Sequence, residues 1–246
     1  MKDNFSSQSA EYARFRPGYP PELFSFIFQH CQHFEHAWDC ATGNGQIALE
    51  LAERFTHVEA SDISENQLNN ATKRDNIHYS IQAAEAPSFA DASFDLITVG
   101  QAVHWFDFDL FYLQVRRVLK PGGLLALIGY NLLKFDDLAL DSLISDFYRN
   151  TLGQYWDAER EHVDAEYSTV PFPFEEIEFP TISMHYTWTR DQLIGYLGTW
   201  SALQHFLKQN GHSPLDEGFT AALESLWPKG EQKNLRFPIF GRLGRY

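Results

Sequence analysis

The sequence predicts an α/β fold: a mostly parallel sheet covered by helices on both faces. Three observations carry this. Strand-like and helix-like segments alternate from His36 to Tyr130. The strand-like segments are apolar almost throughout, as strands buried on both faces must be. A glycine turn follows the first strand and an acid ends the second. Sheets of this kind bind ligands beyond the carboxyl ends of their strands, where strand order reverses.

The elements follow in order. "PPELFSFIFQH" (Pro20 to His30) reads as a first helix, with proline at its start. "HAWDCA" is a short buried strand that runs into the glycine turn "TGNG". Beyond Gly45, the residues Ile47, Ala48, Leu51, Ala52 and Phe55 fall on one helical face. "HVEASD" is a second strand ending at Asp62, and "SENQ" has the spacing of a helix capping box. Ile77–Gln82 and Ser93–Gly100 are the third and fourth strands. A helix through Phe111, Val115, Val118 and Leu119 stops at "KPGG", and Leu124–Tyr130 is a fifth strand.

The alternation fails after Tyr130. "KFDDLALDSLISDFYRN" is helical in pattern, but Thr151–Phe174 is irregular and aromatic. Loops of this length are often lids. "EEIEFPTISMHYTWT" returns to strand character, and Thr189 caps "RDQLIGYLGTWSALQHFLKQ" as one long helix. "LRFPIFGRLGRY" closes the chain as a last strand. The expected organisation is a single domain over 1–246. It has an N-terminal lid region (1–35), a ligand-binding core (36–131), a cap (132–174) and a C-terminal part of the sheet with its helices (175–246).

Composition bounds the function. The chain has 246 residues, 44% hydrophobic and 21% charged, enough for a core without metal or disulfide support. Its net charge of −14 argues against a nucleic-acid partner. Two cysteines, Cys31 and Cys40, form no metal-ligand pattern, and no metal is expected. No signal peptide or membrane-length apolar run is visible, so a cytoplasmic protein without a membrane partner is expected. The 21 phenylalanines are mostly core material, with an aromatic-lined cavity as the sharper reading.

The stretch "WDCATGNG" narrows the ligand. A dinucleotide would lay its pyrophosphate over the turn, where Asp39 adds like charge. S-adenosylmethionine carries no phosphate and has an ammonium group that a carboxylate there suits. Asp62, nineteen residues beyond Gly43, can accept both hydroxyls of a ribose in either case. Each acid alone also fits a plainer role, Asp39 as a turn cap and Asp62 as a cap of the next helix.

These residues carry a family resemblance. "DCATGNG", "ASDIS", "AAEAPSFADASFDLITV" and "VRRVLKPGGLLAL" resemble the four core segments of class I S-adenosylmethionine-dependent methyltransferases. "YARFRPGYP", "QAVHWFD" and "TWTRDQLIGYLGTWSA" resemble the branch that includes trans-aconitate methyltransferase. The resemblance implies a Rossmann-like, mostly parallel seven-stranded sheet with a lid. It implies S-adenosylmethionine as cofactor, S-adenosylhomocysteine as product and a small-molecule methyl acceptor, in a monomer or weak homodimer. Cofactor contacts are implied at Tyr12, Arg16, Asp39, Ala41, Gly43, Gly45, Asp62, Ile63, Ala84, Glu85 and Gln101, the last facing the methionine moiety. Ala41 stands where the family often has a third glycine, and closer packing is the expected consequence.

The acceptor chemistry follows from what methyl transfer requires. A carboxylate is already a nucleophile, so the enzyme has only to align and dehydrate the reactants. An O–H or N–H acceptor needs a base. His104 is the titratable candidate in "QAVHWFD", as base or substrate contact, with simple packing beside Trp105 as the alternative. "NPPY" is absent after strand four, which weakens amide and adenine nitrogens as targets. Arg14, Tyr19, Trp105, Tyr155, Trp156 and Phe172 are the expected substrate-pocket residues, with Arg14 or Arg16 holding a substrate carboxylate. The rival readings are a macromolecular methyltransferase, a binding module without transfer, and an NAD-dependent oxidoreductase.

Overall fold

In a computed structural model, described here for residues 17–246, the sheet alternation of the sequence becomes two hydrophobic layers. Leu96, Ala126 and Ile128 point into one layer, and Ile97, Leu125 and Leu127 into the other. That is the period-two alternation of a strand buried on both sides.

Among the described residues there are nine strands: β1 (His36–Cys40), β2 (His57–Asp62), β3 (Ile77–Ile81), β4 (Phe94–Gly100), β5 (Leu119–Tyr130), β6 (Lys134–Phe135), β7 (Glu175–Ile177), β8 (Ile182–Thr189) and β9 (Gln232–Arg245). The order is β3-β2-β1-β4-β5-β9-β6, with β7 and β8 pairing the other edge of β9. β1 to β5 are parallel, and β9 runs antiparallel to β5. The seven strands expected are therefore joined by two short ones, β6 and β7. Strand order reverses between β1 and β4, so the crevice rule places a ligand beside the turns that leave these two strands.

The helices are α1 (Pro21–His30), α2 (Gln46–Leu51), α3 (Glu65–Asn69), α4 (Phe108–Val118), α5 (Leu138–Asp146), α6 (Arg160–Asp164), α7 (Arg190–Gly198), α8 (Ser201–Asn210) and α9 (Glu217–Leu226). α1 and α2 cover one face through Leu23, Phe24, Ile27, Ile47, Ala48 and Leu51. α4 covers the other through Phe111, Val115 and Val118. Asp107 caps α4 by accepting from the Leu110 N–H at 3.0 Å, and Ser64 caps α3 by accepting from Gln67 N–H at 3.3 Å.

Two expectations needed correction. β5 starts at Leu119 instead of beyond "KPGG": Leu119 already pairs with Phe94, and the glycines form a bulge before pairing resumes at Leu96 and Leu124. The long helix after Thr189 is two helices. Thr189 and Gln192 form the expected capping box, but the chain leaves helical geometry at Trp200 (ψ 131°) before α8 begins. The break turns the Trp200 ring inward, where it meets Tyr148, Trp156 and Tyr196 at 5.6, 5.6 and 5.7 Å.

Beyond Tyr130, β8 and the first half of β9 continue past the end of the parallel strands. Ile182 pairs with Ile239, which also pairs with Tyr130, and the ladder climbs from there to Thr189 and Gln232. Gly18 is tied to this arm: its N–H donates to Tyr186 Oη at 2.8 Å, and the same hydroxyl donates back to the Gly18 carbonyl. Phe147, just past α5, packs here on Phe219 of α9 at 4.5 Å and on Trp200, just before α8, at 6.4 Å. A helical layer thus covers the carboxyl edge of the sheet. No described helix is long and apolar enough to cross a membrane.

Candidate active site

The turn after β1 is built on left-handed backbone. Ala41, Gly43 and Gly45 have φ of 55°, 57° and 84°. A side chain at Gly45 would strike the Tyr79 hydroxyl, and its left-handed φ already favours glycine there. At Gly43 a Cβ would meet nothing within 4 Å among the described residues. The turn therefore presents bare backbone to open space at the switch point, the form of cradle a nucleoside ligand fills. Ala41 needs a different explanation from the closer packing expected of it. It holds a backbone conformation that costs an L-residue about 1–2 kcal/mol.

Asp39 lies under this turn, 1% exposed. One oxygen accepts from Thr98 Oγ1 at 2.9 Å; the other accepts from Ala48 N–H at 3.0 Å and from the Thr42 hydroxyl. Burial pushes its pKa up to about 6, while the hydroxyl and amide donors hold it back. The geometry is that of the turn cap: the carboxylate ties β1, β4, the turn and α2 together.

Asp62 ends β2 at the same edge. Its carboxylate accepts from Gly43 N–H at 2.9 Å and Ser64 N–H at 2.8 Å, and is partly exposed. Ile63 is half-buried beside it. Ala84 is buried, and Glu85 accepts from Asp107 N–H at 3.2 Å, which joins the turn after β3 to the start of α4. The structure brings Asp39, Ala41, Gly43, Gly45, Asp62 and Ile63 to one corner of the sheet. Tyr12, Arg14 and Arg16 lie outside the described residues.

On the other side of the switch point lies a cavity of about 60 Å³. Gln101, His104, Trp105, Tyr130, Trp156 and Arg160 are among its walls, with Tyr196 and Trp200. Gln101 leaves β4 with φ 53° and binds the backbone of Tyr130 through both ends of its amide. His104 sits in a short turn of helix, Val103–Trp105, and is 5% exposed. Its Nδ1 is buried without a hydrogen-bond partner among the described residues. Burial first, then the positive charge of Arg160, lowers its pKa to about 3. Tyr19 stands against the rim, its ring 6.3 Å from that of Tyr130.

Two expected pocket residues lie elsewhere. Tyr155 faces α8: its ring packs on Phe206 at 4.8 Å, and its hydroxyl accepts from Asn210 at 3.0 Å. Phe172 lies away from the cavity, on the face of the sheet covered by α4, under the Arg242 guanidinium at 4.6 Å and against Gly244, whose partner is Leu125 in the middle of β5. Aromatic character alone does not separate a ring in the core from one in a cavity. The residues missed, Arg160, Tyr196 and Trp200, reach the site from helices far along the chain. The "GTW" break in the helix pattern was the available signal for Trp200.

Comparisons with known proteins follow this geometry. Residues 38–127 match a family described as a methyltransferase domain. A Dictyostelium discoideum protein described as a methyltransferase is 35% identical over 244 residues, covering 97% of this chain and 93% of its own length. A solved structure from Anaeromyxobacter dehalogenans, described as a type II methyltransferase, superposes with a TM-score of 0.86 at 37% identity. That match covers 94% of this chain and 98% of the other. A methyltransferase structure from Bacillus halodurans shares the fold at a TM-score of 0.55 and 21% identity, over 92% of this chain and 99% of its own.

Proposed function

The chain belongs to the class I S-adenosylmethionine-dependent methyltransferases, and from that premise we propose that its acceptor is a small carboxylic acid, methylated on oxygen. When bound, S-adenosylmethionine supplies an electrophilic methyl group on a sulfonium centre. In this reading the Ala41–Gly45 turn, Asp62, Ile63, Ala84 and Glu85 hold the cofactor, with Tyr12 and Arg16 closing over it. Residues 132–174 form most of the cap over the acceptor. The resemblance of "QAVHWFD" and "TWTRDQLIGYLGTWSA" to the trans-aconitate methyltransferase branch supports the same acceptor class.

The observation that carries the reading is the state of His104. A histidine that serves as base needs a proton affinity near the working pH, and usually a carboxylate that orients its ring. Among the described residues no carboxylate hydrogen-bonds His104, its Nδ1 has no partner, and burial holds it neutral far below neutral pH. Such a ring gives or accepts a hydrogen bond but does not take a proton from an alcohol or an amine. A carboxylic acid arrives already ionised and needs no base. Trp105, Trp156, Tyr196 and Trp200 then serve by excluding water and fixing direction, which matches the modest demands of the reaction.

The test is methyl transfer from radiolabelled S-adenosylmethionine to matched sets of small acids, phenols and amines. Label should enter the acids and leave again in mild base, as a methyl ester does. Base-stable label, in phenols or amines only, would reject the carboxylate and return His104 to consideration as a base.

A further inference from the structure

Arg160 opens α6 at the wall of the cavity. Its Nε donates to Tyr148 Oη at 2.9 Å and lies 3.6 Å from Asp164 Oδ1. The guanidinium stacks over Trp156 at 4.9 Å and over Tyr148 at 5.6 Å. Every one of these contacts uses Nε or the flat face. The two terminal nitrogens have no hydrogen-bond acceptor among the described residues. The side chain as a whole is 21% exposed, so the terminal nitrogens stay open to whatever occupies the cavity. A guanidinium fixed on one edge and on its face, with the outer edge bare, is prepared for a forked acceptor.

Two more polar groups lack partners nearby. Among the described residues, His104 Nδ1 and Tyr167 Oη are both buried without a hydrogen bond, and their rings are 6.3 Å apart. Arg160 is close enough for its charge to act on both. Tyr167 is also held in left-handed backbone, φ 58°, next to Glu166 at φ 54°. Native interiors seldom leave two such atoms unpaired in one place unless a ligand or water completes them.

We infer that Arg160 is the specificity residue of the acceptor site: its terminal nitrogens hold a carboxylate handle on the acceptor, and His104 Nδ1 and Tyr167 Oη complete the hydrogen bonding. The handle is separate from the methylated atom, because charge-assisted hydrogen bonds to both oxygens stabilise that carboxylate and make it a poorer nucleophile. Asp157 lines the same cavity. Its charge disfavours a phosphate dianion and leaves a singly charged carboxylate as the better fit. The inference rests on the reading above only in placing the acceptor in this cavity.

The experiment titrates the protein, saturated with S-adenosylhomocysteine, with succinate, glutarate, fumarate and cinnamate, each beside its primary amide or diamide. Binding is read by calorimetry and by the fluorescence of the cavity tryptophans. At least one acid should bind about tenfold more tightly than its amide, and Arg160→Gln should remove that difference. Arg160→Lys keeps the charge without the fork and should lose affinity severalfold. Affinity for S-adenosylhomocysteine and the melting temperature control for folding, and if Arg160→Gln does not fold, Arg160→Lys decides alone. Acids that bind no better than their amides, or Arg160 variants that bind them as the wild type does, would overturn the inference. The two proposals fail separately. Arg160-dependent acid binding with base-stable methylation sinks the ester reading alone, and base-labile product formed with unchanged KM in Arg160→Gln sinks the handle alone.

Discussion

The side-chain amide of Gln101 closes on the backbone of Tyr130 in both directions. Its Oε1 accepts the Tyr130 N–H at 2.9 Å, and its Nε2 donates to the Tyr130 carbonyl at 3.2 Å. The Gln101 N–H meanwhile donates to the Ile128 carbonyl at 2.7 Å. The tips of β4 and β5, which diverge at the cavity, are held at a fixed distance by one side chain. The amide expected to face the methionine moiety is therefore already engaged within the fold. Gln101→Leu should lower stability by about 1–3 kcal/mol, since two part-buried backbone groups lose their partners. Urea denaturation measures this, and an unchanged midpoint would show that the clamp contributes nothing.

Ala41 makes a prediction of the opposite sign. It sits at φ 55° at the entrance to the glycine turn. Glycine adopts that conformation without steric cost but loses more chain entropy on folding. The balance favours Ala41→Gly by about 0.5–1 kcal/mol. A melting temperature that falls in this variant would mean that the alanine methyl makes contacts worth more than the strain.

Asp39 predicts how stability changes with pH. Its folded pKa is raised to about 6, above the ordinary aspartate value of 3.8 that it has in the unfolded chain. The folded state therefore holds the proton more tightly between those values. Its contribution makes the protein more stable at low pH and less stable as pH rises from about 4 to about 6, at up to about 1.4 kcal/mol per unit. Above that window the contribution is constant. Asp39→Asn should remove this slope, whatever its effect on absolute stability. Denaturation curves at intervals from pH 4 to pH 7 would show it, and parallel wild-type and variant profiles would exclude a raised pKa.

His104 tilts the same profile the other way. Its folded pKa is depressed to about 3, against an ordinary value of 6.5. The unfolded chain takes up a proton that the folded chain refuses, so stability is full above about pH 6.5 and is lost as pH falls toward 3. His104→Gln should flatten that acid limb. The rate should also lack any limb assignable to this ring between pH 6 and pH 9. A limb near pH 7 that disappears in His104→Gln would identify the ring as a base.

What the sequence made legible was local. The turn "TGNG", the acid nineteen residues on and the Thr189–Gln192 cap each depend on neighbours in the chain, and each was readable from spacing. The cavity walls depend on long-range packing. Arg160 looks like any surface arginine in a run of charges, and it becomes distinctive only when Tyr148 and Trp156 lie beneath it. Phe172 and Tyr155 were misplaced for the same reason: their rings are equally at home against Arg242 or α8 as in a cavity. Asp39 was legible as a position but not as a role. In the structure Thr42, Ala48 and Thr98 surround its carboxylate with donors, a long-range arrangement that spacing does not reveal.

The cap yields the last prediction, and the structure divides it. Residues 151–167 approach the carboxyl edge and place Trp156 and Arg160 on the cavity, while the Tyr167 ring lies 6.3 Å from that of His104. Residues 171–174 leave that edge. Tyr112 donates to the Pro171 carbonyl, Arg116 donates to the Pro173 carbonyl at 3.1 Å, and Phe172 lies against Gly244. If the cap closes over the reactants, only the first part should respond to them. Amide hydrogen exchange, with and without S-adenosylhomocysteine, should show protection over 151–167 and over Gly18 and Tyr19, where the chain meets Tyr186 and Tyr130. Exchange at Phe172 and Phe174, the only amides of 171–174, should not change, because this stretch contacts α4 and β9 away from the cavity. Equal protection across the whole of 151–174, or none anywhere, would show that the segment is a fixed wall and that closure belongs to another part of the molecule.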